Sequence, residues 1–109
     1  MKVTYIDHSC FCIEMKEHIL LFDYFRGTLP QFQHHKKIIS FSSHAHPDHF
    51  VPEVFQILSQ YEKVTYIISK DIKNKHKKEL SNQTEVGKAI IIAGADEEFK
   101  TGDLLINTF

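Results

Sequence analysis

Four short apolar runs most constrain what this chain can fold into: Ile19-Leu20-Leu21-Phe22, Ile38-Ile39-Ser40-Phe41-Ser42, Val64-Thr65-Tyr66-Ile67-Ile68 and Ala89-Ile90-Ile91-Ile92-Ala93. Each is too short for an ordinary helix and rich in aliphatic, β-branched or aromatic side chains, so each reads as a buried strand. Ahead of them, Val3 to Met15 has a similar composition with an irregularity at Asp7-His8-Ser9, and reads as one bent strand or two short ones. Lys16-Glu17-His18 is a polar turn that joins this segment to Ile19-Leu20-Leu21-Phe22 as an antiparallel hairpin.

Between the runs lie segments with other habits. Tyr24 to Lys37 holds Gly27, Pro30 and the polar run Gln31-Phe32-Gln33-His34-His35, and reads as a loop. Pro52 suits the first turn of a helix reaching about Gln60, with Val54, Phe55 and Leu58 on its inner face. Asp71 reads as the cap of a short helix to Leu80. Gly94 to Gly102 reads as a turn, and Leu104-Leu105-Ile106 begins a last strand. Strands first, then strand and helix in alternation, make an α/β layered domain.

The 109 residues suit one domain, and 42% hydrophobic residues, nine Phe and four Tyr among them, can build its core. A formal charge of −1 gives no general attraction to nucleic acid, and charges recur too often for a membrane span. Met1-Lys2-Val3-Thr4-Tyr5 runs straight into strand-like sequence without a secretory leader pattern. Cys10 and Cys12 would share one face of a strand, too close in sequence for an easy disulfide. They read as two buried thiols in a reducing compartment, so the expected location is cytoplasmic, with a soft metal ligand as the alternative. The final Thr108-Phe109 follows an apolar strand directly, which reads as a boundary inside a larger fold.

The chemistry concentrates in Ser43-His44-Ala45-His46-Pro47-Asp48-His49-Phe50, which holds three of the eight histidines. His44 and His46 are two residues apart and would project to one side of an extended segment. Pro47 then turns the chain, so that Asp48 and His49 can point back into the same cavity. Imidazoles and carboxylates converging in this way are the donors a transition metal takes at ordinary pH. The segment joins a buried strand to a helix start, where loops on rigid elements carry function. A solvent-exposed His-rich loop is the alternative.

This segment resembles the H-x-H-x-D-H signature of the metallo-β-lactamase superfamily. Its context is similar too: a buried strand precedes it, a helix follows, and an earlier strand ends in an aspartate, here Asp23. Asp7-His8-Ser9-Cys10-Phe11 resembles the G-H-S-C-F-like start of a branch of metal-dependent hydrolases, with Asp7 replacing the usual Gly. The resemblance implies the N-terminal half of an αββα sandwich over residues 1–109, a mostly antiparallel mixed sheet with helices on one face. It implies that His44 and His46 bind a first metal, and Asp48 and His49 a second. The implied cofactor is zinc, two ions per complete site, with manganese or iron as alternatives. Metal binding lowers the pKa of a bound water and makes hydroxide available. The same resemblance gives Asp48 a catalytic part in orienting that water or taking up a proton. Asp23 would accept a hydrogen bond from a ligand imidazole and fix its tautomer, and a plain strand-end turn is its other reading. His8 lies either near the site or in a structural hydrogen bond.

The family completes its site with a third His for the first metal, a bridging Asp and a further His. Ala93-Gly94-Ala95-Asp96 resembles a His-Ala-Gly-Asp segment without its histidine, and Asp96 reads as a turn residue. His76 sits in a basic run on a solvated helix face, and His34-His35 in an exposed loop. With two protein donors per metal, against the about three or four of ordinary zinc sites, the isolated chain should bind weakly and hydrolyse little.

The expected function is therefore a fragment of a metal-dependent hydrolase, with water attack on an ester, lactone, amide or phosphoester as the activity of the intact protein on a small-molecule substrate. A non-catalytic metal-binding or assembly module retaining the motif is the alternative. The absence of a basic stripe argues against a nuclease. A sheet without its facing sheet leaves an apolar face open, so self-association is also expected.

Overall fold

The structure, a computed structural model, describes residues 1–7, 10–47, 49–82, 87–94, 97–101 and 104–107. Six strands form one sheet in sequence order: β1 (Lys2–Asp7), β2 (Cys10–Glu14), β3 (His18–Phe22), β4 (Lys37–Ser42), β5 (Val64–Ser69) and β6 (Lys88–Ala93). Helix α1 (Glu53–Ile57), continued by a 3-10 turn at Leu58–Gln60, links β4 to β5. Helices α2 (Lys70–Lys75) and α3 (Lys77–Ser81) link β5 to β6. A separate antiparallel hairpin, β7 (Glu98–Thr101) and β8 (Leu104–Asn107), follows.

The opening segment is two short strands, β1 and β2, with a register irregularity between Tyr5 and Asp7. The expected hairpin is the antiparallel pair β2–β3, with Cys12 opposite Leu21 and Ile13 opposite Leu20. The sheet is mixed, as expected, but not mostly antiparallel. The pairings β1–β2 and β2–β3 are antiparallel, whereas β3–β4, β4–β5 and β5–β6 are parallel. Parallel neighbours need a crossover that returns the chain to the starting end. The loop between Phe22 and Lys37 provides the first, and the helical segments provide the next two. The unbroken apolar runs suit parallel strands, which usually carry apolar side chains on both faces.

Period-2 alternation divides the sheet into two faces. On one face, Cys10, Cys12, Ile19, Leu21, Ile38, Val64, Tyr66 and Ile68 form a single buried cluster with Val54, Phe55, Leu58 and Ile72 from the helices. The helices therefore sit on one face, and Val54, Phe55 and Leu58 point inward as the pattern predicts. The long loop joins this core through Tyr24 and Phe32, and the Phe32 amide donates to the Tyr61 hydroxyl at 3.3 Å. Burying one such large side chain contributes about 1.5–3 kcal/mol. On the other face, Phe11, Phe22 and Phe41 stand in register on adjacent strands and stack with ring centroids 4.8 Å apart at each step.

Two further local expectations change. The region expected to be helical from Asp71 to Leu80 breaks at His76, whose φ of −119° and ψ of 38° leave the helical region. Asp71 lies inside the first turn of α2, where Ser69 occupies the cap position, so it does not cap the helix. The expected turn between Gly94 and Gly102 contains β7, which pairs with β8. No helix among the described residues is long and apolar enough to cross a membrane.

Candidate functional site

Because β3, β4 and β5 are parallel neighbours, the segments that leave their C-terminal ends emerge side by side. In open α/β sheets this is the edge where ligands bind. Asp23 leaves β3, Ser43-His44-Ala45-His46 leaves β4, and Asp71 follows the end of β5. The motif loop is thus the middle of three adjacent strand ends, flanked on each side by a carboxylate.

Asp23 adopts φ 49°, a left-handed conformation that costs most residues roughly 1–2 kcal/mol and that Asp and Asn tolerate best. Its amide donates to the Phe41 carbonyl at 2.7 Å, which ties the turn to β4. Its Oδ1 accepts the Ser43 amide at 2.8 Å, and the Ser43 hydroxyl lies 3.0 and 3.1 Å from the two carboxylate oxygens. The other oxygen, Oδ2, lies 3.3 Å from His49 Nδ1. One carboxylate therefore reaches both ends of the motif.

His44 Nδ1 lies 3.0 Å from Ser43 Oγ. An ionised carboxylate only accepts, so the single Ser43 hydroxyl proton goes to Asp23. Ser43 Oγ can then bond His44 only as acceptor, which puts the His44 proton on Nδ1. The His44 ring is left with an Nε2 lone pair, the protonation state that a metal-ligating imidazole needs. His49 Nδ1 faces the same carboxylate at 3.3 Å, within ion-pair distance but without hydrogen-bond geometry.

The three imidazoles of the motif cluster, with ring centroids 5.9 Å apart for His44 and His46, 5.1 Å for His44 and His49, and 6.4 Å for His46 and His49. His44 and His46 are exposed, and His49 is half-buried. A turn in which the His46 carbonyl accepts the amides of His49 at 2.9 Å and Phe50 at 3.1 Å holds the loop closed. Among the described residues, no group of three His, Cys, Asp or Glu side chains is arranged to hold a metal ion. The donor chemistry fits a transition metal, but those residues do not form a closed coordination shell. Asp48 and His8, two of the residues singled out in the sequence, lie outside the described residues, as does Asp96.

His34 and His76 are engaged elsewhere. The His34 ring packs on Tyr61 at 5.2 Å. His76 lies 5.0 Å from the Phe50 ring and 3.3 Å from Glu79. Asp7 pairs with Arg26 at 2.8 Å, so the residue that replaces the usual glycine ties the end of β1 to the loop after β3.

Asp71 is the residue that sequence reasoning missed. Its Oδ2 accepts the Ala45 amide at 2.9 Å and its Oδ1 accepts the Ile72 amide at 3.0 Å, while the Ser69 hydroxyl donates to Oδ1. The Ser69 hydrogen bond, helped by the two amides, holds the Asp71 carboxyl below its ordinary value against the effect of burial. A signal was present in the sequence: Asp71 stands just beyond the strand after the motif, as Asp23 stands just beyond the strand before it.

Beside the motif, a cleft of about 520 Å³ opens along the same strand ends. Phe22, Phe41, Ile67 and Ala93 give it an apolar floor, and Asp23, Ser43, Ser69, Lys70, Asp71 and Gly94 a polar rim. Ser43 connects the cleft to the imidazole cluster.

Cys10 and Cys12 are buried, unpaired thiols in the core. Burial pushes the Cys10 thiol up to about 12, with Cys12 and Asp23 adding to the shift. Burial also raises Cys12. Neutral, buried thiols at this position suit packing.

No curated protein and no solved structure matches the chain. The family model described as a β-lactamase superfamily domain matches residues 2–109, which agrees with the mixed sheet, the helices on one face and the strand-end motif. The chain therefore belongs to the β-lactamase superfamily, a hydrolase-like family whose members are often metal-dependent.

Proposed function

We propose that this chain carries the His-rich half of a metal-dependent hydrolase site. His44 and His46 serve one metal and Asp48 and His49 a second, with zinc as the metal and manganese or iron as alternatives. The bound metal supplies an acidified water able to attack an ester, lactone, amide or phosphoester of a small molecule. The chain's own contribution is orientation. Asp23 and Ser43 set the proton of His44 on Nδ1, the Asp23 carboxylate faces His49, and Asp48 serves as the group that orients the water or takes up its proton.

The observation that carries this reading is the hydrogen-bonded set His44–Ser43–Asp23, which leaves a His44 Nε2 lone pair beside His46 and His49 at one strand edge. Metal analysis of the purified chain after zinc loading tests it. Retained zinc that is lost on His46→Ala supports the assignment, whereas zinc content unchanged by that substitution contradicts it. The buried free thiols favour a reducing, cytoplasmic setting.

A second reading, a non-catalytic assembly module, draws on two observations. The described donors do not close a coordination shell, and the face opposite the helices presents the Phe11–Phe22–Phe41 stack. On this reading a second copy of the chain covers that face.

A further inference from the structure

The motif loop is gripped at alternate amides. Asp23 takes the Ser43 amide at 2.8 Å from the β3 side, and Asp71 takes the Ala45 amide at 2.9 Å from the β5 side. Ala45 is buried, and the residues on either side of it, His44 and His46, are exposed. Pulling the amide of Ala45 toward β5 fixes the backbone between the two imidazoles. The direction in which His44 and His46 leave the loop thus depends on where Asp71 holds that amide.

We propose that Asp71 is a positioning residue for the His44/His46 pair, acting through the Ala45 amide and steadied by Ser69. The inference rests on the metal-binding reading for its purpose, but its geometry stands without it. Asp71 touches neither imidazole. It is the β5-side counterpart of Asp23, and the two carboxylates act on different groups. Asp23 acts through Ser43 on the His44 ring, and Asp71 fixes the backbone between His44 and His46. The Ser69 hydroxyl and the Ile72 amide both bind Oδ1, which leaves Oδ2 to Ala45 and holds the carboxylate in one orientation.

Two measurements on wild type, Asp71→Ala and Asp71→Asn test this. The first is amide hydrogen exchange at Ala45, read by NMR without metal, with Ile39 in β4 as the control for an intact sheet. The second is zinc affinity by chelator competition. Loss of a hydrogen bond to a charged acceptor should speed exchange at Ala45 by roughly tenfold or more in Asp71→Ala, with Ile39 unchanged. Zinc affinity should fall by about 10–100-fold, the usual cost of losing an outer partner of a metal site. Asp71→Asn keeps an acceptor for Ala45, and its NH₂ can donate to Ser69 Oγ but cannot accept from the Ile72 amide, so it should recover part of both effects. A purely structural role would instead make the two variants alike.

Ala45 exchange and zinc affinity at wild-type levels in Asp71→Ala overturn the proposal, as does an Asp71→Asn variant no better than Asp71→Ala. Should Asp71→Ala fail to fold, Ser69→Ala removes only the hydroxyl that steadies the carboxylate. A smaller acceleration at Ala45 supports the proposal, and none overturns it. Wild-type protein that binds no zinc removes the proposed function, and the metal-free exchange measurement then decides the role of Asp71 by itself.

Discussion

Asp23 Oδ2 lies 3.3 Å from His49 Nδ1 while Oδ1 of the same carboxylate accepts the Ser43 amide at 2.8 Å. A single strand-end residue thus spans the motif loop, touching its first residue and its last histidine. Asn tolerates the same left-handed backbone but cannot accept hydrogen bonds with both terminal atoms. Asp23→Asn should therefore fold with a thermal midpoint near that of wild type and lose about 10–100-fold in zinc affinity. Chelator competition and a thermal melt on the same samples check this. An affinity equal to wild type would remove Asp23 from the site.

The chain of bonds from His44 through Ser43 to Asp23 makes a spectroscopic prediction. In metal-free wild type, the His44 ring should be the Nδ1–H tautomer when neutral, a minority form for free imidazole. Ser43→Ala removes the acceptor and should shift His44 toward the Nε2–H form. Nitrogen chemical shifts of the imidazole ring report the tautomer directly, and a His44 that is Nε2–H in wild type would contradict the assignment.

The core thiols predict an alkaline limb of stability. Burial raises Cys10 from an ordinary 9.0 to about 12. The folded state holds this proton more tightly than the unfolded chain, so the contribution is fully present below about pH 9 and is lost as pH rises toward 12. Denaturant melts between pH 8 and 10.5 should show falling stability that flattens in Cys10→Ala. Native thiols should also resist alkylation at pH 8 and react promptly once unfolded.

The aromatic stack predicts self-association. Phe11, Phe22 and Phe41 lie on the face opposite the helices, with Val3 and Tyr5 on β1 exposed beside them. A contiguous apolar patch of this kind marks an interaction surface. At micromolar concentration, wild type should sediment as a dimer or larger. Phe22→Glu should shift it toward monomer by placing a charge in the middle of the stack. A well-folded wild-type monomer would contradict the prediction.

Local pattern carried much of this fold, and long-range pairing carried the rest. The strand at Ile19-Leu20-Leu21-Phe22 ending in Asp23, and the inward set Val54, Phe55 and Leu58, follow from side-chain spacing and show up where spacing puts them. The parallel majority was not legible, because the direction of β4 depends on how the loop between Phe22 and Lys37 crosses the core, and no local pattern encodes that crossing. The role of Asp71 was hidden for the same reason. A carboxylate near a helix start resembles a cap, and only the parallel pairing of β4 with β5 brings it to the Ala45 amide. The imidazole cluster was legible because its members are neighbours in sequence. The roles of Asp48 and His8 rest on the resemblance alone, since both lie outside the described residues.

Metal binding by the His-rich loop, as proposed, runs through imidazole nitrogens. Zinc-edge X-ray absorption of the zinc-loaded chain tests it most directly. The predicted result is a nitrogen and oxygen shell at about 2.0–2.1 Å with the outer scattering of at least two imidazoles, diminished in His46→Ala. A shell containing sulfur at about 2.3 Å would place the metal on Cys10 and Cys12 and contradict the claim, as would a chain that retains no zinc.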